Sequence, residues 1–151
     1  MGEHTEALAG RLSRLFWAVT AVAAGLFGLD IVFHRAGIDV AVPFGTLRLW
    51  GIALLVLSVA CGVALPILLR ALFQTRAAER GKVTIEGYER LQVRIMLLVL
   101  AAALAADAAY LFPVPPLYLY GCVLAALYGI YSIIPSSRKI AGELRYYGLA
   151  E

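Results

Sequence analysis

Two aspartates inside long apolar runs are the residues of this sequence best suited to chemistry. Asp30 lies about four residues before the end of the first run, and Asp107 about five residues before the end of the third. In a lipid bilayer a charged side chain is costly, so an acid at that depth usually faces the interior of a helix bundle and serves a function. Both carboxyl groups are therefore candidate functional groups, and Asp107 is the stronger of the two.

The two aspartates differ in the cations within their reach. His34 lies one helical turn after Asp30 and Arg35 follows it, so Asp30 is also readily explained as a locally paired acid at a membrane surface. Asp107 stands among alanines, with no cation within one helical turn. Three interpretations stay open for Asp107: a structural pair with Arg48 of the second run, a proton or cation site, and a protonated residue that only packs.

Small residues recur four positions apart in the apolar runs, which is the spacing that lets two helix backbones approach closely. The candidates for helix packing are Gly121, Ala125 and Gly129 in the fourth run, Gly25 and Gly28 in the first, and Gly62 in the second. In a chain so rich in alanine, the pattern predicts that helices pack and does not identify the pairs.

Tyr128 and Tyr131 are the aromatic candidates for lining a ligand groove. They lie deeper in the fourth run than Tyr118 and Tyr120, which suit an aromatic belt at the membrane surface. Packing in the core with a bonded hydroxyl group is the commoner role of a buried tyrosine. Both interpretations stay open for the deeper pair.

The motifs of several membrane enzymes are absent from the sequence. The chain has no asparagine, its two cysteines lie far apart in apolar runs, and histidine occurs at positions 4 and 34 only. These counts argue against the motifs of lipoprotein signal peptidases, against disulfide oxidoreductases of the usual design and against bis-histidine haem in the bundle. We assign no catalytic residue, no metal and no cofactor.

Composition places the chain among membrane proteins. It is 62% hydrophobic and 15% charged over 151 residues, whereas soluble domains are about 45–50% apolar and about 25% charged. The charges are also bunched, and none falls within 15–29, 49–69, 95–106 or 108–137. A soluble fold needs polar residues along the outer face of every helix, so these runs indicate lipid.

Four α-helical spans follow from the apolar runs, because a span needs about 20 residues. We predict an all-α four-helix transmembrane bundle that forms a single membrane domain over residues 1–151, with helices at about 15–33, 49–69, 95–112 and 117–134.

The segments that flank these spans are polar. A basic connector, 70–94, joins helices two and three, and helix two continues into it as far as Gly81, with Pro66 as a place for a kink. A basic tail follows helix four. Residues before the first span begin an amphipathic helix that carries Leu8, Leu12 and Leu15.

Eleven of the 13 Lys and Arg residues flank one side of the predicted spans, and only Arg35 and Arg48 flank the other. Cytoplasmic loops carry the excess of Lys and Arg, so we predict a plasma or inner membrane protein with both termini and the connector in the cytoplasm. The net charge of +3 is then a topology signal, and we expect no nucleic acid partner. The basic side suits anionic lipid headgroups.

The two halves of the sequence share a weak similarity. The tripeptide Leu-Trp-Gly at 49–51 resembles Leu-Tyr-Gly at 119–121, and Pro66 corresponds to Pro135 near the end of each second helix. Such matches are typical of a duplicated helical hairpin, so two tandem hairpins are one interpretation of the bundle.

Three functions are compatible with these features. The first is a small non-catalytic membrane subunit that associates with itself or with a larger complex through helix packing. The alternative is a small oligomeric transporter or channel, coupled to protons or ions, that uses Asp107 together with Asp30 and Arg48. The most remote is a lipid-modifying enzyme that works at the outer rim.

Overall fold

The computed structural model of this protein describes residues 3–37, 46–80, 84–112 and 114–146. Of these residues 93% are helical, and no strand is found among them. The helical elements, in chain order, are α1 (Glu3–Arg35), α2 (Leu47–Val59), a π-helical turn (Ala60–Ala64), α3 (Leu65–Arg80), α4 (Ile85–Leu111), α5 (Pro116–Ile133) and α6 (Ser137–Tyr146). The predicted all-α class is confirmed.

Four helical rods are long and apolar enough to cross a membrane, as the apolar runs predict. They cover Glu6–Arg35, Leu47–Arg76, Ile85–Leu111 and Pro116–Ile133, and the second comprises α2, the π-helical turn and most of α3. α3 ends at Arg80, while Gly81 lies outside the described residues.

Two helices begin earlier in the chain than the apolar runs do. α1 begins at Glu3 rather than near residue 15, and α4 begins at Ile85 rather than near residue 95. The start of α4 is fixed by Thr84, whose side-chain oxygen accepts a hydrogen bond of 3.2 Å from the backbone N–H of Gly87. Such a cap satisfies a backbone donor that has no partner within the helix. Much of the predicted polar connector is therefore helical.

α4 lies at the centre of the bundle. It packs against α1 and, separately, against α2, α3 and α5, while α2 and α5 also pack against each other. α1 packs against α4 and, near its start, against α6. The two predicted hairpins therefore do not pack alike, because α4 and α5 form an extensive pair whereas α1 and α2 are joined through α4.

Large apolar side chains close the end of the bundle at which both terminal helices meet, called the terminal end below. Residues of α1, α4 and α6 are buried together there: Leu8, Leu12, Phe16, Tyr88, Ile140 and Leu144. α6, which the sequence predicts only as a basic tail, docks because Ile140 and Leu144 lie one turn apart on one face. On α1, Phe16 rather than Leu15 continues the buried face.

Alanines fill the opposite half of the bundle, whose far end is called the distal end below. The buried alanines of this half are Ala23, Ala103, Ala105, Ala106, Ala109 and Ala126. Because alanine side chains are short, the backbones of neighbouring helices approach closely. Each alanine buries little apolar area, and the ring of Phe27 on α1 adds a contact with Tyr110 of α4, at 5.3 Å between ring centres.

A π-helical turn interrupts the second rod just before Pro66, where the sequence predicts a kink. Proline has no N–H group, and its ring clashes with the carbonyl group four residues earlier, which here belongs to Gly62. The wider turn accommodates this clash. One turn earlier, the buried hydroxyl of Ser58 lies 3.3 Å from the carbonyl oxygen of Ala102 and 3.0 Å from that of Cys122, linking three rods.

The glycines of this π-helical turn and of α5 lie at close helix contacts. A methyl group on Gly62 would lie 2.6 Å from the carbonyl oxygen of Ala125, and one on Gly129 would lie 3.1 Å from the carbonyl oxygen of Gly62. Farther along α5, Gly121 faces the side chain of Leu55. These positions agree with the packing role expected of small residues.

Gly25 and Gly28 of α1 are different. A methyl group on either residue would meet no atom within 4 Å, because both lie on a part of α1 that faces away from the bundle. The expected packing role of these two glycines is therefore not fulfilled within this chain.

Candidate functional site

Asp30 and Asp107 lie together between α1 and α4. The side chain of Asp30 is buried, with 7% of its residue surface exposed, although it stands near the distal end of α1. Asp107 lies on α4, the helix against which α1 packs, and is near enough to Asp30 for the two charges to interact. The structure thus pairs two acids that the sequence presents as separate candidates.

The burial of Asp30 follows from its spacing along α1. Phe16, Ala23 and Asp30 are seven residues apart and all three are buried. Seven residues make about two helical turns, so these side chains lie along one line on the helix surface. That line faces α4, whose alanines around Asp107 let the two helices approach closely.

Neither carboxyl group makes a hydrogen bond or an ion pair with any residue that the structure describes. The Oδ2 atoms of Asp30 and Asp107 are both buried and without a hydrogen-bond partner. Two carboxylates close together in apolar surroundings disfavour each other's charged form, and burial does so too. The arrangement is therefore suited to holding a proton or a cation between the acids.

None of the cations predicted beside these acids forms an ion pair with Asp30 or Asp107 in the part of the chain that the structure describes. Arg48 is exposed in the first turn of α2, and the ion pair with Asp107 is not formed, because Asp107 faces α1 and α2 packs on another part of α4. His34 is exposed at the distal end of α1, where its ring centre lies 5.8 Å from that of Tyr110. Arg35, the last residue of α1, is exposed as well.

A groove of about 240 Å³ opens beside Asp107 between α1, α4 and α5. Its walls are alanines from all three helices together with larger apolar side chains such as Phe27, Leu127 and Ile130. Asp107 is the one titratable residue of the lining, and Thr20 supplies a hydroxyl group. The groove therefore combines an apolar surface with a single unpaired acid.

Tyr128 and Tyr131 do not line this groove and do not pack in the core. They are 50% and 75% exposed and face away from the bundle. The buried face of α5 is formed by other residues, among them Cys122, Ala126 and Gly129. Packing in the core is therefore wrong for these tyrosines, which fall on the opposite side of the helix, and their place in a ligand groove stays a prediction.

A second polar cluster, which the sequence analysis does not identify, lies at the terminal end. The Tyr88 hydroxyl donates to Glu143 Oε2 at 2.5 Å, and the Gln92 amide donates to the same oxygen at 2.9 Å and to the Tyr88 hydroxyl oxygen at 3.0 Å. These bonds attach α6 to α4 beneath the apolar cluster. In the sequence, the signal for this cluster is Glu143, an acid that lies on α6 between Ile140 and Leu144, the two buried residues of its apolar face.

Two cations meet at the last turn of α5. Lys139 Nζ donates to the carbonyl oxygen of Ser132 at 2.6 Å, and Arg70 donates to the same oxygen at 3.3 Å. This oxygen needs outside donors because α5 ends just before Pro135. Burial and the charge of Arg70 lower the pKa of Lys139, while Glu143 opposes the shift. The contacts attach α3 and α6 to the end of α5.

The groups brought together by the fold suit ion binding better than bond-making chemistry. In the described part of the chain, no cluster of three or more His, Cys, Asp or Glu side chains is positioned to hold a metal ion. Asp30 and Asp107 form the site with the clearest chemical capacity, which is to bind and release a proton or a cation. Comparison of the chain with protein family models, with curated proteins and with solved structures finds no match.

Proposed function

We propose that this chain is an integral membrane protein whose four apolar rods cross the bilayer, with the terminal end in the cytoplasm. The bias of eleven Lys and Arg residues against two supports this orientation. The basic residues at the terminal end then face anionic lipid headgroups.

The orientation is tested with single cysteines in a background in which Cys61 and Cys122 are replaced by alanine. We expect an impermeant maleimide to label Arg35→Cys in intact cells and Gln74→Cys only after the membrane is opened. Labelling in the reverse order would contradict the orientation. Recovery of the chain in the soluble fraction without detergent would contradict membrane insertion itself.

We further propose that the protein is a small oligomeric transporter coupled to protons or cations, with Asp30 and Asp107 as the ion-binding pair. The observation that carries this proposal is that two neighbouring apolar helices, α1 and α4, each bury a carboxyl oxygen that has no hydrogen-bond partner among the described residues. Burying such groups is costly. Reversible binding of a proton or a cation offsets that cost. If the acids only stabilised the fold, an ion pair or an alanine at each position would do so at lower cost.

Proton uptake into liposomes tests the coupling. We expect wild-type protein to acidify the lumen when a proton gradient is imposed, and Asp107→Asn and Asp30→Asn to lose most of this flux. The matched control is Glu86→Gln, because Glu86 is an exposed acid at the start of the same helix as Asp107. Equal flux in wild type and both aspartate variants would refute the proposal.

A second candidate function, the non-catalytic membrane subunit, is favoured by the uncovered glycines of α1. Gly62, Gly121 and Gly129 lie at helix contacts, whereas Gly25 and Gly28 meet nothing within 4 Å of a methyl position. Glycine weakens a helix unless it serves a contact or a turn, so an uncovered pair on an apolar helix suits contact with another copy or another protein.

Association through α1 is tested by substitution at Gly25. We expect Gly25→Leu to dissociate the assembly seen by crosslinking and by sizing in detergent. Gly10→Leu is the matched control, because Gly10 is equally open but lies on α1 before the apolar run. Assembly that survives Gly25→Leu would count against this second function.

A further inference from the structure

We propose that the ring of Tyr110 covers the two buried acids on the side of the distal end, and that His34 relays protons between Asp30 and the water beyond this cover. The inference rests on the proposed ion coupling, takes the proton as the ion and names the route by which it reaches the acids.

Tyr110 contacts α1 on both sides of Asp30. Its ring centre lies 5.3 Å from that of Phe27 and 5.8 Å from that of His34. Phe27 precedes Asp30 by about one helical turn and His34 follows it by about one turn, so these two residues are about 10.5 Å apart along the axis. The two ring distances together span little more than this separation. The ring of Tyr110 therefore lies between the other two rings, at the level of Asp30.

The position of Tyr110 on α4 places it beside the second acid as well. Tyr110 follows Asp107 by three residues, so both side chains lie on one face of α4, with Tyr110 nearer the distal end. Asp30 is buried although its neighbours Leu29 and Phe33 are exposed. A long aromatic side chain at this place accounts for that burial, which the short alanines around Asp107 would not give by themselves.

His34 lies on the outer side of the cover. It is exposed in the last turn of α1. Residues four apart on a helix have Cβ atoms about 5–6 Å apart, so His34 is the neighbour of Asp30 towards the distal end. Histidine takes up and releases protons near neutral pH, whereas arginine does not release one. The imidazole of His34 accepts a proton from water, donates a proton to the carboxylate of Asp30 and returns to its neutral form.

The cover is tested by the reactivity of a thiol in place of the buried acid. Asp30→Cys is made in a background in which Cys61 and Cys122 are replaced by alanine, and the protein is placed in lipid nanodiscs. We expect a cationic methanethiosulfonate to react about tenfold faster or more after Tyr110→Ala, since a covered group reacts only through local opening. Tyr110→Leu, a milder change, should give an intermediate rate. Tyr120→Ala is the matched control and should leave the rate unchanged, because Tyr120 is 66% exposed near the start of α5.

The relay is tested by proton uptake into liposomes. His34→Phe keeps an aromatic ring against Tyr110 but cannot transfer a proton, so we expect uptake to fall by about tenfold or more. Imidazole-4-acetate, which is charged and crosses lipid poorly, should restore uptake, whereas it would not repair a loss of fold. Arg35→Gln, at the neighbouring exposed position, is the control and should leave uptake unchanged. In Tyr110→Ala, His34→Phe should have no further effect, because water then reaches the acids directly.

The outcomes separate this inference from the proposed transport. Equal labelling of Asp30→Cys with and without Tyr110→Ala would overturn the cover. Proton uptake by wild type that His34→Phe leaves unchanged would overturn the relay and leave proton coupling in place. A wild-type protein that takes up no protons would refute the transport and the relay together, while faster labelling after Tyr110→Ala would still establish the cover.

Discussion

Replacing Gly62 by alanine is expected to destabilise the bundle where the second rod crosses α5. The added methyl group would lie 2.6 Å from the carbonyl oxygen of Ala125 and 3.2 Å from the Cβ atom of Ala102. A backbone oxygen cannot rotate away as a side chain can, so the two helices must move apart. Ordinary contacts begin at 3.4 Å, so the two helices must separate by about 0.8 Å.

The magnitude follows from two opposing effects. Forcing extra methyl groups into a packed interior costs about 1–3 kcal/mol, whereas replacing glycine by alanine within a helix gains about 0.5–1 kcal/mol. Gly62→Ala is therefore expected to lower the free energy of unfolding by up to about 2.5 kcal/mol. Gly10→Ala gains only the helix-propensity contribution, because nothing lies within 4 Å of its methyl position. The difference between the two variants isolates the cost of the contact.

The measurement is unfolding of the purified protein in mixed micelles with increasing sodium dodecyl sulfate, followed by circular dichroism. Gly121→Ala provides an intermediate case, because its methyl group would meet the flexible end of the Leu55 side chain rather than backbone. We expect Gly62→Ala to be the least stable, Gly121→Ala to be intermediate and Gly10→Ala to be the most stable. If Gly62→Ala were as stable as Gly10→Ala, the close crossing of the second rod and α5 would be wrong.

Three further changes test other contacts. Ser58→Ala removes a hydroxyl that bonds carbonyl groups of two neighbouring helices and should cost about 0.5–2 kcal/mol in the same titration, with Ser58→Thr closer to wild type. Glu143→Ala removes the acceptor shared by Tyr88 and Gln92 and should speed proteolysis of α6, while an unchanged cleavage rate would contradict the docking. Because the pKa of Lys139 is lowered from its ordinary value of 10.5, the folded protein binds fewer protons than the unfolded chain just below that pH, so stability should rise with pH there. Lys139→Met should flatten this rise, and an identical pH dependence in the variant would refute the assignment.

The apolar runs predict the four long helices because a helix in lipid needs an unbroken apolar length. They do not predict where α1 and α4 begin. The first turns of both helices, before residues 15 and 95, carry apolar side chains on one face only, so they are not part of an apolar run. Leu8 and Leu12 carry the signal of that face, but Phe16 rather than Leu15 completes it. Hydropathy does not predict the docking of α6 either, because only Ile140 and Leu144 form its buried face.

The meeting of Asp30 with Asp107 depends on which helices are neighbours, and the sequence does not specify this. A hairpin of the first two rods would bring Arg48 near the acids, whereas the packing of α1 on α4 brings the acids to each other. One local signal was available. The seven-residue spacing of Phe16, Ala23 and Asp30 places the acid on the buried face of α1.

The two ends of α1 are packed by different side chains. Leu12 and Phe16 lie among large side chains at the terminal end, whereas alanines and the contact of Phe27 with Tyr110 join α1 to α4 towards the distal end. Leu12 and Asp30 are about 27 Å apart along the axis, so a tilt of about 10° about Leu12 carries Asp30 by about 5 Å. A tilt of this kind would change the surroundings of Asp30 far more than those of Leu12, and distances between spin labels on α1 and α4 would measure it.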